Sequence, residues 1–239
     1  QRSLVGSEMC IRDSPNSSIQ SSMLNQENRN GNTFNGNAFV DITFLKDFKF
    51  TFNVGTTVNE IRYYTTTNPY YGFGAEQNGT VTMYHYRTTT LNLQQILNYS
   101  HNFGKHNISV MLGHESYKYN YAELSASKKN MFSYWGNHEL NGAVIDGSSA
   151  ASYSNDYNTE GYFFRALYDY DAKYYFSASY RRDASSRFHP DHWWGNFYSV
   201  GGAYLMSKED WFDVKWIDML KIKFSIGQQG NDNIGSYNY

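Results

Sequence analysis

From about residue 37 onward, apolar and polar side chains alternate with a period of two, the pattern of strands rather than helices. Ala38, Val40, Ile42 and Phe44 share one parity, with Asp41 and Thr43 on the other. After a turn at Lys46-Asp47, Phe48, Phe50, Phe52 and Val54 alternate with Lys49, Thr51, Asn53 and Gly55, and the run continues through Tyr63 and Tyr64. A Gly/Asn/Pro-rich loop follows at about 66–80. The third run, about 81–102, sets Leu91, Leu93, Leu97 and Tyr99 against Asn92, Gln94, Asn98 and Ser100. Gly104-Lys105-His106 makes a short turn into a fourth run, Ile108, Val110 and Leu112 against Ser109, Gly113 and Glu115, which reaches about 126.

The stretch at about 127–159 is rich in Gly, Ser, Asn and Asp and reads as a long loop. The fifth run alternates Tyr162, Phe164, Ala166 and Tyr168 with Phe163, Arg165, Leu167 and Asp169. Asp171-Ala172-Lys173 turns the chain into a sixth run, Tyr174, Phe176, Ala178 and Tyr180 against Tyr175, Ser177, Ser179 and Arg181. A loop at about 183–194, a seventh run at about 195–206, and a connector at about 207–218 with a short helical turn come next. The eighth run alternates Leu220, Ile222, Phe224 and Ile226 with Lys221, Lys223, Ser225 and Gly227.

Strand length and loop parity point the same way. Several runs reach roughly 15 to 20 residues, against about 5–6 for strands of soluble proteins. The connections alternate short and long, then end on a compact connector. Short turns at one end and long loops at the other are expected of an outer-membrane barrel, whose strands need about 9–11 residues to cross the bilayer. The fold class expected is therefore all-β: an antiparallel up-and-down transmembrane β-barrel segment of about eight strands, an open part of a larger barrel. Lys49, Asp41, Arg165, Asp169, Lys221 and Lys223 all fall on the polar parity, where a charge avoids the penalty of about 2–4 kcal/mol for a basic side chain facing lipid at mid-bilayer.

Composition changes the picture in two ways. Aromatic residues make up 18% of the 239-residue chain, with Tyr 23 and Phe 16, which suits the aromatic belts of a membrane interface. A mean hydropathy of -0.67 excludes a bundle of membrane-spanning helices. It does not exclude a barrel, whose strands are polar on one side. A soluble, secreted carbohydrate-binding β-sandwich could show the same composition. A net charge of -2 excludes a strongly basic nucleic-acid surface.

Gln1 to Ser14 shares no periodicity with the rest of the chain and reads as translated sequencing-adapter sequence, a non-native leader; the alternative is a genuine but disordered terminus. Residues 15–36 read as a disordered loop and 37–239 as a partial outer-membrane barrel. Without a visible signal peptide, the chain is expected to be a fragment. The single cysteine, Cys10, lies in the leader.

Chemistry-bearing motifs are sparse. There is no G-x-S-x-G, P-loop or C-x-x-C, and Gly72-Phe73-Gly74 does not open a helix, so nothing anchors an enzymatic or cofactor-dependent reading. His189 and His192 near Asp191 lack the further ligands a metal needs and read as solvated loop residues. Arg181, Arg182, Asp183 and Arg187 form the densest charged group. They read either as an ion-pair network at a strand end or as a contact for substrate or for anionic outer-leaflet sugars. Trp135, Trp193, Trp194, Tyr70 and Tyr71 fall in expected long loops, where aromatic faces could stack on sugar rings or simply pack the loops. Trp135, Trp193, Trp194, Arg182 and Arg187 are the candidate substrate contacts. Asn231-Asp232-Asn233 is expected to shape a turn.

Over about 160–235 the chain reads G-Y-F-F-R-A-L-Y-D-Y-D-A-K-Y-Y-F-S-A-S-Y-R-R-D-A-S-S-R-F, then W-G-N-F-Y-S-V-G-G-A-Y, then L-K-I-K-F-S-I-G-Q-Q-G-N-D-N-I-G. In this order the segments resemble the SusC/RagA family of TonB-linked outer-membrane proteins from Bacteroidetes. Over about 37–126 the likeness is one of strand pattern only. Ala184, where the family often has glycine, and the His189-Pro190-Asp191-His192 loop depart from it. The resemblance implies a much longer protein with a plug and a 22-stranded barrel. It also implies active uptake of an oligosaccharide or peptide, a SusD-type surface lipoprotein as partner, and energy supplied through TonB. The TonB-contacting segment lies outside this sequence. A passive porin-type channel would share the strand alternation and lack the plug.

Overall fold

The structure, a computed structural model, describes residues 23–136, 138–214 and 216–233. The leader, Cys10 and Gly235 lie outside the described residues. Among the described residues eight strands follow one another: β1 (Gln26–Phe44), β2 (Phe48–Thr67), β3 (Thr80–Phe103), β4 (His106–Met131), β5 (Ala143–Tyr170), β6 (Tyr174–Ser185), β7 (Trp194–Leu205) and β8 (Lys221–Gly227). Among the described residues they form one sheet in sequence order, with β1 and β8 at its two ends.

The tight turns have clear local causes. Lys173 N donates to the Tyr170 carbonyl at 2.9 Å. Asp171 and Ala172 between them have φ of 52° and 50°, the pair of left-handed residues that matches a hairpin to the twist of its strands. Leu45 and Lys46, at φ 51° and 64°, do the same between β1 and β2. Gly104 supplies φ 68° between β3 and β4, and a Cβ there would meet nothing within 4 Å. Its requirement is conformational rather than steric.

Three boundaries differ from the sequence reading. β1 starts at Gln26, inside the stretch expected to be loop. β4 runs on to Met131 and β5 starts at Ala143, so the long loop expected at 127–159 contracts to 132–142. Residues such as Ser152, Asn155 and Asn158 carry no apolar face, yet strand pairing needs none where both sides of a sheet meet water. The connector between β7 and β8 spans 206–220 and is the longest connection, although it falls at the end of the tight turns. Its helical turn is Met206–Lys208.

The chain divides into two compact units, the first drawn from Gln1–Phe34, Val58–Thr89 and Asn120–Asn155, the second from Asn35–Thr57, Thr90–Tyr119 and Asp156–Tyr239. In the first, Val81, Met131, Tyr134 and Ala143 are buried, with Leu140 packed against them. Asn68 organises the 68–79 loop: its side-chain oxygen accepts from the backbone N–H of Tyr70 (2.9 Å) and Tyr71 (2.8 Å), and its amide donates to Asn25 Oδ1 at 2.9 Å. A one-turn helix, Phe73–Glu76, follows with Gly72 at its N-cap, so Gly72-Phe73-Gly74 does open a helix, contrary to the sequence reading, although one of only four residues.

In the second unit the pairing register carries the side-chain parity across strands. Tyr168 lies opposite Phe176, which lies opposite Gly202, then Phe224; Ala166, Ala178, Val200 and Ile226 form the next row. Phe164, Tyr180 and Tyr198 form the row beyond. This apolar face is open, with Phe176 51%, Phe224 68% and Ile226 75% exposed. Among the described residues no second layer of protein covers these side chains, as a soluble sandwich would require.

Candidate functional site

The opposite face of the second unit is polar and is built by the other parity of the same strands. Arg165, Ser179, Ser199 and Gly227 form one row, and Asp169, Tyr175, Ala203 and Lys223 another. Ser179 and Ser199 share a hydrogen bond of 2.7 Å across the strands. Asp169 accepts from Asn107 Nδ2 at 2.9 Å, and the Lys221 ammonium stands 3.6 Å from the centre of the Tyr175 ring. On β1 and β2, Asp41 takes Lys49 at 3.1 Å and the Thr51 hydroxyl at 2.6 Å. Of the charges that share a parity in the sequence, Asp41, Lys49, Asp169 and Lys221 thus find partners on one face.

Toward the 186–193 loop this face becomes more structured. Arg181 lies between Asp183 (2.6 Å) and Glu115 (3.5 Å), with its guanidinium carbon 5.6 Å over the Phe163 ring. Glycine makes room for the rings. A Cβ on Gly113 would stand 2.1 Å from the Phe163 ring, and one on Gly230 would stand 2.3 Å from Phe197. Both aromatic rings therefore lie flat against backbone. A recess of about 350 Å³ opens here, with Glu115, Arg181, Asp183, Phe197 and Asp232 among its walls.

Asp232 is the hub the sequence reading missed. Its carboxylate accepts from the hydroxyls of Tyr157 and, at 3.0 Å, Ser185. The Tyr157 hydroxyl is the main cause holding the Asp232 carboxyl below the usual carboxylate range. Turn shaping falls instead to Asn231, whose side-chain oxygen accepts from Asn233 N at 2.9 Å. Arg187 donates to the Asp232 carbonyl at 3.1 Å and lies 4.3 Å over the Tyr157 ring.

The candidate substrate contacts separate. Arg187 is engaged in this cluster. Trp193 donates its indole N–H to the Phe188 carbonyl at 2.8 Å. Arg182 lies 4.9 Å over the Trp194 ring, and Trp194 stacks on Tyr162 at 6.0 Å. Arg182 shares the parity of Phe176 and Tyr180 and so lies on the apolar face, while Trp193 and Trp194 also line the edge of the recess. Trp135 belongs to the first unit, in the 132–142 loop. It is 62% exposed and packs edge-on against the buried Tyr134 at 5.3 Å, and Tyr134 meets Tyr70 edge-on at 6.2 Å. His189 accepts from Asp191 N at 3.4 Å and its ring lies 6.5 Å from that of His192. Among the described residues no group of three His, Cys, Asp or Glu side chains is arranged to hold a metal.

The connector at the tight-turn end is also anchored. Glu209 takes Lys173 Nζ at 2.9 Å and the Tyr174 hydroxyl at 2.8 Å. The Lys173 ammonium holds the Glu209 carboxyl below, and is itself held above, the ordinary value. Lys208 Nζ donates to the Asp171 carbonyl at 2.7 Å.

No family model matches the chain. Among known proteins it is 29% identical over 219 residues to TonB-dependent receptor P3 of Formosa agariphila, covering 88% of this chain and 21% of that receptor. It is 26% identical over 232 residues to TonB-dependent receptor SusC of Bacteroides thetaiotaomicron, covering 93% of this chain and 22% of SusC. The chain therefore spans about a fifth of the length of these relatives. In structure it superposes on the RagAB peptide transporter with a TM-score of 0.84 at 25% identity, covering 91% of this chain and 24% of that chain. The "open-open" state of the RagAB peptide importer gives the same TM-score of 0.84. None of these names is that of an enzyme. The two-faced sheet and the ordered motifs agree with these likenesses: over a stretch of barrel wall the chain is similar to TonB-dependent receptors of the SusC and RagA kind.

Proposed function

We propose that this stretch forms part of the wall of an outer-membrane transporter that imports a nutrient, an oligosaccharide or a peptide. The carrying observation is the sheet with two unlike faces: open rows of Tyr, Phe, Val and Ile on one, charges and hydroxyls on the other. Hydrocarbon suits the first and a wet interior the second. Tyrosines also mark the ends of the apolar rows. Tyr162 stands at one end, and Tyr170, Tyr174 and Tyr204 at the other, with Tyr174 stacked on Tyr204 at 4.9 Å. At about 3.3 Å per residue, Tyr162 to Tyr170 spans about 26 Å of strand, or about 20 Å along the membrane normal at a tilt of about 40°. That is close to the apolar band of about 25 Å typical of such barrels.

The family names of the relatives support two partners for the whole protein, a SusD-type surface lipoprotein and TonB, and a place in the outer membrane. For substrate contact we retain Trp135, which presents an exposed indole on a buried tyrosine base. A strain lacking the receptor, complemented with a full-length gene carrying this stretch, tests the reading. Labelled oligosaccharides and peptides should enter only when TonB is present, and Trp135→Ala should slow entry. Entry that persists without TonB, together with steady conductance in a planar bilayer, would favour a passive channel and overturn active import.

A further inference from the structure

We infer that Arg182 and Trp194 form a binding site for the phosphorylated head group of an anionic lipid in the outer leaflet. The inference rests on the reading that the apolar face of β5–β8 meets hydrocarbon. Followed along that face toward the 186–193 loop, the rows pass from Ala166, Ala178 and Val200, through Phe164, Tyr180 and Tyr198, to Tyr162, Arg182 and Asn196. Arg182 is thus the first cation the face presents. A basic side chain facing lipid is strongly disfavoured at mid-bilayer but nearly neutral at the interface, so its position places the head-group level here.

The surroundings turn that level into a site. The Trp194 ring backs one plane of the guanidinium at 4.9 Å and is fixed by stacking on Tyr162. Stacking leaves the N–H edges of the guanidinium free, and that planar fork matches two oxygens of a phosphate. Glu160, the nearby carboxylate of the same parity, accepts instead from the Tyr162 hydroxyl at 2.7 Å and pairs with His114 at 3.3 Å. Among the described residues no carboxylate forms an ion pair with Arg182. Asn196 is held by the Tyr180 hydroxyl at 2.8 Å, which closes the hydrocarbon side of the site with an aromatic ring.

The test uses the full-length receptor reconstituted in vesicles of phosphatidylcholine with or without phosphatidic acid. Lipid retained after extraction is counted by native mass spectrometry. The wild type should retain phosphatidic acid, Arg182→Gln should retain about ten-fold less, a difference of about 1.4 kcal/mol, and Arg182→Lys should fall between because it keeps charge and loses the fork. An excess of inorganic phosphate should leave the retained lipid unchanged. Heat-dependent migration in gels, the mark of a folded barrel, checks each variant. Equal retention by wild type and Arg182→Gln, or loss of the lipid to free phosphate, overturns the head-group site while the membrane reading stands. A wild type that stays outside the vesicles overturns both.

Discussion

Arg187 donates to the Asp232 carbonyl at 3.1 Å, and so joins two sequence motifs that lie far apart in the chain. The R-R-D-A-S-S-R-F segment supplies Ser185 and Arg187; the G-N-D-N segment supplies Asp232; β5 supplies Tyr157. Together these contacts make a clasp that fastens the segment after β8 to the β6–β7 loop.

Asp232→Asn should loosen this clasp. The amide keeps the shape but loses the charge that strengthens two hydroxyl donors. After allowance for partial exposure and screening, about 1 kcal/mol of local stability should be lost. Because the Asp232 carboxyl is held below its ordinary value of 3.8, its contribution is complete above that value and disappears as pH falls through the lower folded value. Amide hydrogen exchange in the 228–233 segment of a full-length receptor should therefore rise in the variant at neutral pH. In the wild type it should rise, once intrinsic rates are corrected for, only in strong acid. Unchanged exchange in the variant would show that backbone bonds alone hold the segment.

Glu209 anchors the longest connection through Lys173 and Tyr174. Glu209→Gln should free the 206–220 connector and make it cut several-fold faster by a protease added from the tight-turn side. The pH dependence has two limits. The depressed Glu209 carboxyl releases the contact as pH falls through its folded value, below 4.5. The elevated Lys173 ammonium releases it as pH rises through its folded value, above 10.5. Protection should be flat between those limits. A loss of protection near neutrality would assign the anchor to another group.

Much of this wall is legible in the sequence, and the gaps have physical causes. Tyr162 to Tyr170 and Tyr174 to Tyr180 reveal their faces because one face must be apolar and the other must not. The stretch 152–160 hides its strand because Ser, Asn, Asp, Thr and Glu occur on both parities, so no apolar face marks it. The partnership of Asp232 with Tyr157 joins residues far apart in sequence, and no local pattern announces it. Arg182 shows how a lone charge misleads. Its neighbour Arg181 pairs with Glu115 and Asp183 on the polar face, while parity carries Arg182 to the other side.

Gly113 is required by the Phe163 ring rather than by its own backbone. A methyl group there would lie 2.1 Å from the ring. Phe163 would have to leave, and Arg181 would lose the surface beneath its guanidinium. Gly113→Ala should lower barrel stability by about 1–3 kcal/mol, the usual effect of overpacking. Gly113→Ala combined with Phe163→Leu should recover part of the loss. Urea titration of the folded full-length barrel, followed by tryptophan fluorescence, measures both. Equal losses in the single and double variants would show that the ring is not what excludes a side chain.

The β5–β6 turn holds two non-glycine residues in the left-handed region, Asp171 at φ 52° and Ala172 at φ 50°. Aspartate tolerates this conformation because its side chain bonds locally, and here Lys105 reaches it at 3.2 Å. Alanine has no such compensation, and the left-handed conformation disfavours it by about 1–2 kcal/mol. Ala172→Gly removes that strain but gives the unfolded chain more freedom, which offsets up to about 1 kcal/mol. The variant should therefore be more stable by about 0.5–1 kcal/mol, with the hairpin register unchanged. Asp171→Gly, which also removes the Lys105 contact, should gain less. Urea midpoints of the two variants in the full-length receptor decide the matter. A destabilised Ala172→Gly would mean that the turn relaxes to a right-handed conformation in the membrane.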